Sequence, residues 1–203
     1  MILYTGGEGY GKLTQTAGTR IQLLMGGVGG KFTNLINMSY TAGTTAHTIT
    51  IMRGQSRTTV NGAVAGGGTS VVVNAALLKG DGITVPAAND SVGIRLSNGT
   101  WFLSTISAYN STTLTYTLNT AIPSGLKVLN GAKFVLFGVA GDSWHASYTF
   151  AAAASATTNF PALAGQDMSV CRASYPGEPL MFDSNNATAA GTLNNAEVGY
   201  SRT

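Results

Sequence analysis

The chain is 203 residues long, carries a formal net charge of +3, and has only 9% charged residues, against roughly 25% in an ordinary soluble domain. A length on that scale buries one large core or two small ones. Direct nucleic-acid binding is excluded by the lack of a Lys/Arg cluster with interleaved aromatics, and no stretch reaches the ~20 apolar residues of a membrane helix.

Met1–Gly6 has no basic start and no long apolar run, so it does not read as a signal peptide. Glycine then punctuates the first thirty positions, and between the breaks Arg20–Met25 reads as a short strand. Phe32–Tyr40 is a weaker apolar segment. After the turn at Thr41–Thr44, His47–Arg53 alternates with Ile49 and Ile51 on one face, the period of a strand. Asn61-Gly62 and Gly66-Gly67-Gly68 mark turns, and Ser70–Val73 is a β-branched run. Helix formers are too sparse anywhere here to compete.

From Leu77 a compact unit begins. Lys79-Gly80-Asp81-Gly82 reads as a turn and Ile83-Thr84-Val85-Pro86 as a short strand closed by proline. Val92, Ile94 and Leu96 alternate with polar residues up to Asn98-Gly99, a pair suited to a tight hairpin. A second strand follows over Thr100–Ala108, with a turn at Tyr109-Asn110-Ser111. Leu114, Tyr116 and Leu118 then alternate with threonines in a third, completing an antiparallel meander. Lys133–Val139 is apolar on both faces, so a central, doubly covered strand is expected. These strands suit a small barrel of SH3-like or OB-like size.

Beyond Asp142, Trp144, Ala146, Tyr148 and Phe150 fall on a strand pattern. Ala151–Ala154 favours a helix, but one too short to be stable alone. Met168–Ser174 reads as a return strand. Pro176–Thr203 holds few, widely spaced apolar residues, chiefly Leu180, Met181, Phe182 and Leu193, and reads as an extended arm that orders against another subunit. The expected fold is all-β: antiparallel strands in sandwich or small barrel units with extended terminal arms. Its divisions are a Gly-rich β region at 1–76, a barrel-like domain at 77–140, and C-terminal strands with an arm at 141–203.

Signatures of chemistry fail on inspection. Gly26-Gly27-Val28-Gly29-Gly30-Lys31 suggests a phosphate loop, but Met25 stands where the first glycine belongs and Phe32 where a hydroxyl must meet magnesium. The spacing of Gly7, Gly9 and Gly11 is wrong for a dinucleotide site. The two histidines, His47 and His145, are far apart, and neighbours along a strand cannot orient Asp142, Ser143 and His145 as a triad. They read as structural. Asp81 and Asp90 are turn carboxylates, weak candidates for a cation site. Trp101, Trp144, Tyr109 and Tyr116 suit a core or subunit contact better than a sugar platform. Cys171, the lone cysteine, reads as a buried thiol. No enzymatic activity, cofactor or metal is expected.

Two positive features remain. The surface is poor in charge and rich in hydroxyls, as in surfaces covered by neighbouring subunits. Positions 1–78 carry Lys12, Arg20, Lys31, Arg53 and Arg57 against Glu8 alone, a basic half suited to an acidic partner.

The run Thr41–Arg53, together with the unit from Lys79-Gly80-Asp81 through Trp101–Ile106 to Leu136-Phe137-Gly138, resembles the Gly/Thr-rich, charge-poor β segments of tailed-bacteriophage virion proteins of the small head-decoration or cement type. The resemblance implies a capsid-surface protein of the virion, made in the host cytoplasm, that binds the major capsid protein or another virion protein. It also implies self-association, as a homotrimer at a symmetry axis. On that reading Lys12, Arg20, Lys31, Arg53 and Arg57 face an acidic shell, and Leu180, Met181 and Phe182 on the arm contact neighbours. Genome contact would be indirect. The alternatives are a tail, fibre or baseplate component, and a carbohydrate-binding β module.

Overall fold

The computed structural model describes residues 7–138, 146–160, 171–185 and 189–202. Those residues form an all-β protein in which every strand pairing is antiparallel, with no α-helix among them. The chain divides into two units, one made of Met1–Arg53 with Ala146–Thr203 and the other of Gly54–His145.

Unit one holds β1 (Gly7–Tyr10), β2 (Leu13–Gln15), β3 (Arg20–Gly26), β4 (Phe32–Ala42), β5 (His47–Arg53), β12 (Ala146–Ala152), β13 (Thr157–Phe160), β14 (Pro179–Asn185) and β15 (Gly191–Ser201). One sheet has the order β1-β15-β4-β13, with β2 also on β15; the other is β12-β5-β14-β3. Because β1 and β2 pair with successive parts of β15, they act as one strand interrupted at Gly11-Lys12. Counted so, the eight strands run 1-8-3-6 and 5-4-7-2 across the two sheets. That is the double Greek key of a jelly roll.

The inner faces of both sheets meet in a single core. Leu35, Met38, Tyr40, Leu193, Ala196 and Val198 come from the first sheet, and Ile21, Met25, Ile49, Ile51, Leu180 and Phe182 from the second. Here the structure corrects the sequence reading. The C-terminal segment is no projecting arm: β14 is a central strand bonded to β3 on one side and β5 on the other, and β15 is paired along both edges. Leu180, Met181 and Phe182 are fully buried within the chain that carries them. Met168–Val170 lies outside the described residues, and Arg172 makes only an isolated bridge to Asn34 rather than a strand. Ala151 and Ala152 end β12, and a turn at Ala154-Ser155 leads to β13 in the other sheet, so the alanines form no helix.

Unit two holds β6 (Ser56–Thr59), β7 (Ser70–Val72), β8 (Ser91–Arg95), β9 (Trp101–Asn110), β10 (Thr115–Leu118) and β11 (Lys133–Gly138) in the order β6-β11-β8-β9-β10-β7. The outer two strands are joined just past their ends. Val60 bridges Val73, Asn61 N donates to Val72 O at 2.8 Å and Asn74 N to Thr59 O at 2.9 Å, which curls the sheet round into a barrel. Val60, Val71, Val92, Ile94, Ile106, Tyr116, Phe134 and Leu136 fill it.

The meander is present, and β11 is central with Phe134–Gly138 buried, as its two apolar faces require. Two details differ. Only Gly99 takes a positive φ (85°) in the first hairpin, where Gly99 N bonds Leu96 O and Leu96 N bonds Thr100 O; this is a three-residue loop with a glycine bulge, not a two-residue turn. Ile83–Val85 is no strand but part of an irregular connection, with Ile83 83% exposed.

The two units do not coincide with the three stretches expected from composition. The barrel takes its edge strands from 56–72, and the first and last stretches build one sandwich together. The chain leaves that sandwich after Arg53 and re-enters at Ala146, whose backbone pairs with Met52. Unit two is therefore an insertion in the β5–β12 connection, with its two junctions adjacent, as insertions require.

Candidate functional site

Four strands of unit one each turn one polar side chain into the apolar core: Gln15 from β2, Tyr40 from β4, His47 from β5 and Ser184 from β14. All four are at most 1% exposed, so each must find partners inside. The Tyr40 hydroxyl lies 2.8 Å from Gln15 Oε1, 2.7 Å from His47 Nδ1 and 2.8 Å from Ser184 Oγ. Ser184 Oγ donates to Gln15 Oε1 at 2.8 Å, while Gln15 Nε2 donates to the Thr19 carbonyl. The hydroxyls of Tyr40 and Ser184 both reach Gln15 Oε1 and each other, and Tyr40 Oη and His47 Nδ1 share one proton between them. His47 Nε2 is buried without a hydrogen-bond partner.

Burial lowers the His47 pKa from the usual imidazole value, opposed by the Ala190 backbone, and burial raises that of Tyr40. The fit is close. A Cβ at Gly191 would run into the Tyr40 hydroxyl and the His47 ring. Chemically this is a tie rather than a catalytic centre. Ser184 and His47 both bond Tyr40, no carboxylate joins them, and the group is sealed from solvent. It spans the sandwich, since β2 and β4 belong to one sheet and β5 and β14 to the other.

Four of the five basic residues expected at a contact face are dispersed within unit one. Arg20 forms a two-pronged ion pair with the buried carboxylate of Asp183, with Nε 2.6 Å from Oδ1. Lys31, in the β3–β4 turn, and Arg53, at the end of β5, lie at the end of the sandwich opposite Arg20, because β14 pairs Pro179 with Gly26, Leu180 with Arg53 and Asn185 with Arg20. Lys12 is exposed in the break between β1 and β2. Arg57 belongs to unit two, on β6.

The glycines of the supposed phosphate loop make a corner between sheets, in which Gly27 N bonds Thr33 Oγ1 at 3.0 Å and the chain continues as β4, not as a helix.

The described carboxylates of unit two, Asp81 and Asp90, act separately. Asp90 is fully buried, with Lys79 Nζ 3.1 Å from Oδ2 and the Ala87 amide 2.7 Å from it. Asp81 is exposed and accepts from the Ile83 and Thr84 amides and the Thr84 hydroxyl, which bring its pKa down to about 2. No group of three or more His, Cys, Asp or Glu side chains able to hold a metal occurs among the described residues. Cys171 is buried, and burial pushes its thiol up to about 12, away from reactivity.

Tyr116 is buried beneath Tyr109, ring centroids 4.3 Å apart, and Trp101 lies under the Arg95 guanidinium at 5.7 Å. Asp142, Ser143, Trp144 and His145 fall outside the described residues.

No protein-family model and no curated protein sequence matches the chain. Among solved structures it is 14% identical to the VP16–VP17 complex of the two major capsid proteins of bacteriophage P23-77, over 94% of this chain and 100% of that one, with a TM-score of 0.23. VP17 of the same phage gives 14% identity over 98% and 99% of the two chains, also at 0.23. The capsid structure of infectious bursal disease virus, Gt strain, is 16% identical over 97% of this chain and 42% of that one, at 0.12. At such TM-scores these likenesses bear on neither the fold nor the function of this chain.

Proposed function

We propose that this chain is a structural component of a viral particle, non-catalytic and working as an oligomer at the shell. The observation that carries the reading is the strand order of unit one, a jelly roll with a barrel inserted between β5 and β12. Jelly rolls serve viral coats, lectins and cupins alike, so the choice among them rests on the chain's own residues. Its polar constellation is sealed in the core, which does not suit a reaction, and Tyr116 is buried beneath Tyr109, so that ring offers no face to a sugar. Its 9% charged composition suits a surface that spends its life against other subunits.

The finer reading is a decoration or cement protein. It would sit on the outer face of a phage capsid as a homo-oligomer, adding buried area across joints between capsomers, where many weak contacts gain strength by repetition. Of the basic residues expected at the contact, exposed Lys12 and Arg53 and half-exposed Lys31 in unit one are left to meet an acidic shell. Leu180, Met181 and Phe182 have no part in it, being core.

Analytical ultracentrifugation of the purified chain, alone and with empty shells of the virus that encodes it, tests both levels. A defined oligomer that co-sediments with shells is the expected result. Assembly of the chain alone into closed shells would replace cement with coat subunit, and a monomer that ignores shells would refute both.

A further inference from the structure

We propose that the Gln15–Tyr40–His47–Ser184 network is a proton-sensitive latch that holds the two sheets of unit one together while its imidazole is neutral and releases them in acid. The geometry has three parts. First, the network crosses the sandwich, with partners from β2 and β4 on one side and β5 and β14 on the other. Second, its closest contacts are made by neutral groups: Gln15, Ser184, the Thr19 carbonyl and Tyr40, the titratable group that touches His47. The charged pair Arg20–Asp183 belongs to the opposite face of β3 and β14, where the two charges satisfy one another. From β12 and β15 the neighbours are Ala152, which pairs with His47, and Gly191, whose position abuts the ring; neither titrates. Third, the ring is buried among apolar side chains with Nδ1 2.7 Å from Tyr40 Oη and the Ala190 backbone as a further polar neighbour, so an added proton places a cation in that core with neutral dipoles but no carboxylate to meet it.

The sign follows from linkage. In the unfolded chain His47 titrates near 6.5; in the folded chain burial lowers that value. A group depressed on folding gives its full stabilisation above about pH 6.5 and loses it as pH falls below that point. The folding equilibrium weakens about tenfold for each pH unit until the folded-state pKa is reached. Exposed carboxylates titrate near 4, so the window between about pH 6.5 and 5 favours the histidines, and comparison with H47Q separates His47 from the buried Glu178.

The test is urea unfolding of the full chain at several pH values across that window, followed by hydrogen-exchange mass spectrometry so that β4, β5, β14 and β15 are read separately from β8–β11. Wild type and H145Q should both lose unit-one stability as pH falls below about 6.5, by at most about tenfold per pH unit, whereas H47Q should lose distinctly less, whatever its absolute stability. Should H47Q fail to fold, the imidazole Cε1–H resonance of His47 in wild type decides the matter. Titration well below 6.5 supports the latch. Titration at or above 6.5, or an unchanged slope in H47Q, overturns it.

Discussion

Replacing Phe182 by alanine distinguishes a core strand from a docking arm. Phe182 is fully buried in β14, its ring 6.2 Å from that of Tyr40, with Ile51 beside it on β5 and Leu23 on β3 in the backbone register. Truncating a buried phenylalanine removes its transfer free energy and leaves a cavity that a two-sheet core fills only in part, about 3–5 kcal/mol together. Unit one has the marginal stability of any domain, about 5–15 kcal/mol, so about a fifth of it or more should vanish. Hydrogen exchange by mass spectrometry reads this directly. Amides of β3, β5 and β14 should exchange about a hundredfold faster or more, while those of β8–β10 stay within a few-fold of wild type. If unit-one protection changes by less than about fivefold and only self-association weakens, the segment is an arm after all and the core assignment is refuted.

Three further substitutions probe other parts of the account. Asp90→Ala removes the buried partner of Lys79 and the acceptor for the Ala87 amide, and should cost unit two about 3 kcal/mol in urea melts, since breaking a buried pair strands its mate. Gly191→Ala drives a methyl into the Tyr40 hydroxyl and His47 ring and should cost unit one about 1–3 kcal/mol, read by the same melts; an unchanged midpoint would mean the network is loosely packed. Ile83→Ser should leave the unfolding free energy of unit two unchanged, within about 0.5 kcal/mol, because Ile83 is 83% exposed. A buried strand position would lose several times more.

Strands were legible where alternation is unbroken. In β5, Ile49 and Ile51 carry it, and in β8–β10 Val92, Ile94, Tyr116 and Leu118 do. In β15 the inward residues are Leu193, Ala196, Val198 and Tyr200. A bulge at Asn194 moves the pattern by one position, so the segment reads as scattered apolar residues rather than a strand. Its partner β4 is out of phase for the same reason, with Leu35 and Met38 three apart.

Leu180, Met181 and Phe182 looked isolated because their pairing partners, Arg20–Gly26 and His47–Arg53, are more than a hundred residues away. Ile83-Thr84-Val85 has strand composition, but Asp81 captures the amides of Ile83 and Thr84 in a local turn.

Distance also hid the insertion, since β5 meets β12 only after the whole of unit two has intervened. Of the buried network, His47 was legible as a structural histidine. Nothing local announces that Gln15 and Ser184, 169 residues apart, share a proton network with it.

Cryo-electron microscopy of intact particles tests the virion assignment most directly. The account predicts repeated density at lattice positions of the shell into which the sandwich and the barrel of this chain each fit, with neighbouring copies in contact. Particles in which the protein is missing, or confined to a few copies on a tail, would contradict it.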